Sequence, residues 1–163
     1  MPKFKVIIIS FLFIISCNCQ KKLKKGAGQV EAKIESDYIS SVLEDKNFNT
    51  LLNTNMIIAY DIKQQLIEGT KDEYSNKLFL SDTLSQSKRN KLLIRLKSDA
   101  SYDWNSLPKD KNFEPKKQYL LKSDTGRLTL LIDSNFERIG FINLEGQKIV
   151  HLTREMSEFM KKL

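Results

Sequence analysis

Four β-prone runs crowd the last third of the chain, and the short gaps between them constrain the fold more than any other feature. Gln118–Lys122, Arg127–Asp133, Glu137–Asn143 and Gln147–Leu152 are each five to seven residues long. Turn-forming residues separate them: Ser123-Asp124-Thr125-Gly126, then Ser134-Asn135, then Glu145-Gly146. Connections this short allow hairpins and forbid parallel crossovers, which need a dozen or more residues. The spacing predicts an antiparallel meander. Within it Leu128, Leu130 and Ile132 share one face while Leu131 points to the other, the pattern of a central strand covered on both sides.

Helical periodicity flanks this sheet. From Val30 to about Leu43 the apolar positions Ile34, Tyr38, Ile39, Val42 and Leu43 recur at helical spacing. Ser85 or Ser87 caps a second predicted helix ending near Lys97, with Leu92, Leu93 and Leu96 as its buried stripe and a basic opposite face. Thr153 caps a third, whose Met156, Phe159, Met160 and Leu163 follow at intervals of three and four. Met56–Lys63 reads as one more strand, 64–76 as a loop, and Leu78–Leu80 as a further short strand. The expected fold is α+β: an antiparallel β-meander of about four to six strands packed by two or three helices, in a single domain over 30–163.

The amino terminus belongs to a different category. Lys3 and Lys5 precede the apolar run Val6–Ile15 (VIIISFLFII), which ends in Ile14-Ile15-Ser16-Cys17. A run of this length is half of what a helix needs to span a hydrocarbon core of about 30 Å. Its layout is that of a secretory signal, and its end resembles the lipobox of bacterial lipoproteins. The resemblance implies a signal peptide over 1–16, cleavage between Ser16 and Cys17, and a diacylglyceryl group on the Cys17 thiol. Residues 17–29 then form a lipid-anchored basic tether with Lys21, Lys22, Lys24 and Lys25. Acyl chains on Cys17 are the implied link to membrane lipid, and the location expected is the bacterial cell envelope, periplasm-facing rather than on the cell surface. Residues 78–141 are also similar to small bacterial lipoproteins, through the leucine-rich helix, Tyr102-Asp103-Trp104, Phe113-Glu114-Pro115 and the hairpin that follows; those relatives have cysteines around the hairpin that this chain lacks.

Charge and cysteine placement agree with that division. The chain holds 27 Lys+Arg against 20 Asp+Glu, a balance that invites a nucleic-acid reading. Seven of the lysines and only one acid, Glu31, fall within residues 1–33, which leaves 20 basic and 19 acidic side chains for the remainder. The basic excess belongs to the signal and tether, and nucleic acid is not an expected partner. Both cysteines, Cys17 and Cys19, lie at the anchor, so the domain carries no thiolate pair for a disulfide or a metal.

Catalytic signatures are sparse. His151 is the only histidine and sits in a β run, so it reads as structural rather than as part of a triad or a zinc site. No GxSxG elbow and no phosphate-binding glycine motif is present. Neither a metal nor an organic cofactor is implied. Asp99 and Asp103, with Glu114, are the best carboxylates for an envelope hydrolase. The irregular stretch 98–115 also carries Tyr102, Asp103, Trp104 and Phe113, a candidate partner-contact loop, although the same aromatics suit a lid over the core. The function expected is a non-enzymatic module that binds or inhibits an envelope protein, with a hydrolase as the alternative.

Overall fold

The computed structural model describes residues 37–106, 112–143 and 146–163. The stretches expected to be signal peptide and tether, with Cys17 and Cys19, and the first turns of the predicted opening helix lie outside the described residues.

Three helices and seven strands follow in the order α1 (Asp37–Leu52), β1 (Met56–Leu66), β2 (Tyr74–Thr83), α2 (Gln86–Leu96), β3 (Tyr102–Asp103), β4 (Pro115–Lys122), β5 (Arg127–Asp133), β6 (Arg138–Asn143), β7 (Gly146–Leu152) and α3 (Arg154–Lys161). The strands form one antiparallel sheet in the order β2-β1-β4-β5-β6-β7-β3. The α+β class and the meander β4-β5-β6-β7 agree with the turn chemistry. The sheet is larger than the four to six strands expected, because β1 and β2 join one edge of the meander and the two-residue β3 closes the other.

The elements form where local chemistry favours them. Ser85 accepts the Lys88 N–H at the start of α2, and Thr153 accepts the Met156 N–H at the start of α3. α1 continues to Leu52, past the end near Leu43 that its periodicity predicts, and it does so with a break at Glu44 (φ 61°, ψ 161°). The break lets Ile39 and Leu43 on one side, and Leu51 on the other, all reach the core. Gly126 ends the β4–β5 turn, and a Cβ there would lie 2.5 Å from Thr50 Oγ1, so the absence of a side chain lets the second half of α1 approach the turn.

All three helices cover one face of the sheet. Leu92, Leu93, Leu96, Met156 and Met160 join inward-facing strand residues such as Leu121, Leu130 and Ile139 in a single core. The opposite face is not covered in the same way. Leu131 is half-buried rather than enclosed, and its neighbours on that face are Gln118 and Gly140. Sequence alternation marks a side chain as facing away from the core, but whether something then lies over it is a property of the tertiary arrangement.

The region read as a loop over 64–76 is the largest correction. β1 runs on to Leu66 and β2 begins at Tyr74, so only seven residues form the tip of a long hairpin. Leu78–Leu80 is part of a ten-residue strand. Gly69, at φ 85°, occupies the positive-φ position that the tip requires.

Candidate functional site

The aromatic loop resolves into parts with different surroundings. Tyr102 is buried, and its hydroxyl donates to the Leu96 carbonyl at 2.7 Å, tying β3 to the end of α2. Burial pushes this phenol far above its ordinary range, with Asp99 adding to the effect. Trp104 is partly buried; its indole N–H donates to the Asp99 carbonyl at 2.9 Å. Its ring lies 5.2 Å from Tyr102 and stacks on Tyr38 at 5.6 Å. Tyr102 and Trp104 therefore lid the junction of α1, α2 and β3. Phe113 is placed elsewhere. It lies over Gly140 on the face away from the helices, where its ring is 3.3 Å from the position a Gly140 Cβ would take, and the Arg138 guanidinium is 5.7 Å from the ring centre.

The candidate carboxylates are engaged in main-chain work. Asp99 accepts the Tyr38 N–H at 3.0 Å and the Ile39 N–H at 2.8 Å, so it caps α1 from about sixty residues away in sequence. Asp103 accepts the Asn105 N–H at 3.1 Å and the Ser106 hydroxyl at 2.5 Å. The hydroxyl bond, more than the backbone one, holds its carboxyl below the usual carboxylate range. Glu114 lines a cavity of about 340 Å³ beside Gln64, Asn76 and Phe113 on the sheet face away from the helices. Asp99 and Glu114 thus serve opposite sides of the sheet and do not form a pair. Replacing Asp99 by Ala leaves the first N–H groups of α1 unpaired, and an N-cap of this kind contributes about 1 kcal/mol. The expected result is a correspondingly lower urea midpoint, while Asp103→Ala shifts it much less because that side chain is only partly buried and bonds residues of its own turn.

His151 lies opposite both Asp103 and Arg138 in the ladder. Ser106 bonds Asp103 directly, with no imidazole between hydroxyl and carboxylate, which is not the relay that activates a serine. Among the described residues no group of three or more His, Cys, Asp or Glu side chains converges as a metal site would require. The basic face expected on α2 is largely occupied within the molecule. Lys88 Nζ lies 3.6 Å from Asp82 and donates to the Leu163 carbonyl, Arg89 donates to the Asn55 carbonyl, and the Arg95 guanidinium sits 4.2 Å above the Phe159 ring.

The exposed apolar surface lies on the β1–β2 hairpin. Tyr60 is paired with Leu80, Ile62 with Leu78, and Leu66 with Tyr74, and all six point to the face away from the helices. Leu80 is 69% exposed, Tyr74 60%, Leu78 51% and Leu66 44%. Ile58 and Leu120, paired across β1 and β4, extend the same face toward the meander. Contiguous apolar surface on one side of a soluble sheet marks a place where something docks. The hairpin was legible in the sequence at a longer window: Met56, Ile58, Tyr60, Ile62 and Leu66 keep a period of two through Gln64. The charged cluster at 68–73 draws attention to a loop and hides the strands on each side.

Comparison with protein-family models, curated proteins and solved structures finds no significant match for this chain. Among the described residues, no helix is long and apolar enough to cross a membrane.

Proposed function

We propose that the protein is a bacterial envelope lipoprotein, anchored through acylated Cys17, whose domain binds or inhibits a protein partner without catalysing a reaction. The observation that carries the docking role is the outward face of the hairpin, where Leu66, Tyr74, Leu78 and Leu80 present aliphatic and aromatic surface to solvent. An aromatic beside aliphatic side chains is the composition of an interface centre. Asp61, Glu68, Asp72, Glu73 and Asp82 outnumber Lys63, Lys71 and Lys77 along the hairpin, which disfavours an anionic lipid surface as its target and favours a protein. The anchoring role is supported by the layout of Lys3 to Cys17 and by the lysines that follow it. Two or three acyl chains hold a protein stably on a membrane, where one chain alone binds marginally.

The anchor is tested by mass spectrometry of the mature amino terminus. An acyl mass on Cys17 is expected, and Cys17→Ala abolishes it and moves the protein out of the membrane fraction. A mature chain that begins elsewhere, or carries no lipid, sinks the anchor. For the docking role, the lipidated protein is used as bait in detergent-solubilised envelope. Leu66→Ser/Tyr74→Ser is expected to reduce capture of the enriched protein by tenfold or more. Equal capture by that variant, or no enriched protein at all, rules the reading out.

A further inference from the structure

We propose that the free edge of β2 pairs with β2 of a second copy, antiparallel about a two-fold axis at Phe79, to give a sheet continuous across a homodimer. This goes beyond the docking role, which concerns the outward face of the hairpin rather than its edge.

The two sheet edges are unlike. One ends in β3, a two-residue strand that offers little backbone. The other ends in β2, ten residues long and, among the described residues, paired on one side only. Natural sheets shield such edges with proline, charge or very short strands. Tyr74–Ser81 contains no proline, and its one charged side chain is Lys77. The register shift between Ala59 and Tyr60 leaves Ser81 as a bulge residue at the end of this stretch, so the regular edge runs from Tyr74 to Leu80. An edge this long and this apolar is a template for another strand.

Backbone polarity shows which groups are available. Ile67 N–H donates to the Glu73 carbonyl at the hairpin tip, and bonded pairs alternate along an antiparallel ladder. Odd-numbered residues of β2 up to Phe79 therefore turn their N–H and C=O groups toward β1. Asn76, Leu78 and Leu80 turn theirs outward. A two-fold axis perpendicular to the sheet keeps like faces together and allows only registers centred on a residue.

Side-chain complementarity selects among them. Centred on Phe79, Leu78 of each copy bonds Leu80 of the other, the two phenylalanines meet on the helix side, and Lys77 lies near the Ser81 bulge. Every large apolar side chain between 78 and 80 then has an apolar partner, and no like charges oppose each other. Centring on Lys77 sets two lysines face to face. Centring on Leu78 places Lys77 against Phe79 and Asn76 against Leu80, while centring on Leu80 runs the pairing into the bulge at Ser81. A foreign strand would have no reason to match this self-complementary sequence. The paired segment is short relative to the roughly 1,200 Å² that stable interfaces bury, so a dimer in the micromolar range or weaker is expected.

The test uses the full chain in mild detergent with Cys17→Ser and Cys19→Ser, which removes both native thiols. Opposed residues in a non-bonded pair lie about 4.5 Å apart at Cα, within disulfide range. Phe79→Cys is expected to give a covalent dimer under mild oxidation. Lys77→Cys alone does not crosslink. Leu78→Pro removes an outward N–H without breaking a β1 bond, and it should weaken association measured by sedimentation by roughly tenfold or more relative to Leu78→Ala. Circular dichroism identical to the parent chain shows that each variant is folded. A folded chain that stays monomeric at about ten times the expected micromolar constant, crosslinks most readily through Leu78→Cys, or associates equally well as Leu78→Pro overturns the inference. The docking role is read separately, because Leu66→Ser/Tyr74→Ser leaves residues 76–81 untouched. A monomer that still captures its partner through that face removes the dimer alone.

Discussion

Asp133→Ala will unfold at a markedly lower denaturant concentration, losing about 3–5 kcal/mol of stability, as expected when one member of a buried ion pair is removed. Asp133 is 1% exposed and organises the β5–β6 turn from within. One carboxylate oxygen accepts the Glu137 and Arg138 N–H groups at 2.9 and 3.1 Å; the other accepts Arg138 Nε at 2.8 Å. Arg138 in turn donates to the Asn112 carbonyl, so the same carboxylate positions the segment that carries Phe113. Without Asp133 the guanidinium stays largely buried and loses its counter-charge. One of its nitrogens, Nη1, already lacks a partner in that environment. Removing the cation as well relieves the penalty, and Asp133→Ala/Arg138→Met should recover part of the loss. A coupling energy of about 1–3 kcal/mol in the double-mutant cycle is the expected signature of direct contact. Strictly additive effects would show that the turn, rather than the pair, accounts for the cost.

Leu96→Ala is expected to cost about 2–5 kcal/mol, the range for emptying a buried leucine site. Its side chain is fully buried between α2 and the sheet, and its carbonyl receives the Tyr102 hydroxyl. Two positions earlier, Ile94 is 59% exposed on the wet side of the same helix. Ile94→Ala should change stability by no more than about 0.5 kcal/mol, as exposed substitutions usually do. Urea titration followed by the fluorescence of Trp104, the only tryptophan, measures both. The midpoint should move for Leu96→Ala with an unchanged slope. Equal shifts for the two variants would contradict the orientation of α2.

Orientation of this kind was readable from the sequence because it is local. The spacing of Leu92, Leu93 and Leu96, the caps at Ser85 and Thr153, and the turns at Ser123–Gly126 each involve residues within a few positions of one another. Those contacts form in much the same way whatever the rest of the chain does. Asp99 illustrates the opposite case. An acid followed by Tyr102, Asp103 and Trp104 suggested an acid–base pair, but its two oxygens meet backbone N–H groups at Tyr38 and Ile39. A cap supplied across about sixty residues leaves no signal in either segment.

The same distinction separates the aromatic residues that cover the core from those that face solvent. In sequence, Tyr102 and Trp104 suit either a partner-contact loop or a lid over the core. α1, arriving from the other end of the domain, stacks Tyr38 against Trp104, and Tyr102 is buried at the end of α2. Tyr74 and Leu80 had no distinguishing composition, yet among the described residues no helix covers the face they occupy.

From sequence alone come the antiparallel meander, the inward faces of α2 and α3, and the separation of a basic, lipobox-bearing amino terminus from a nearly neutral domain. These follow from periodicity, turn chemistry and charge counts, which need no knowledge of distant neighbours. Only the tertiary structure decided that three helices lie on one side of the sheet, that Asp99 is a cap and Asp133 half of a buried pair, and that β2 is an edge strand among the described residues. Burial depends on which surfaces meet, and in this chain the meeting surfaces are separated by tens of residues.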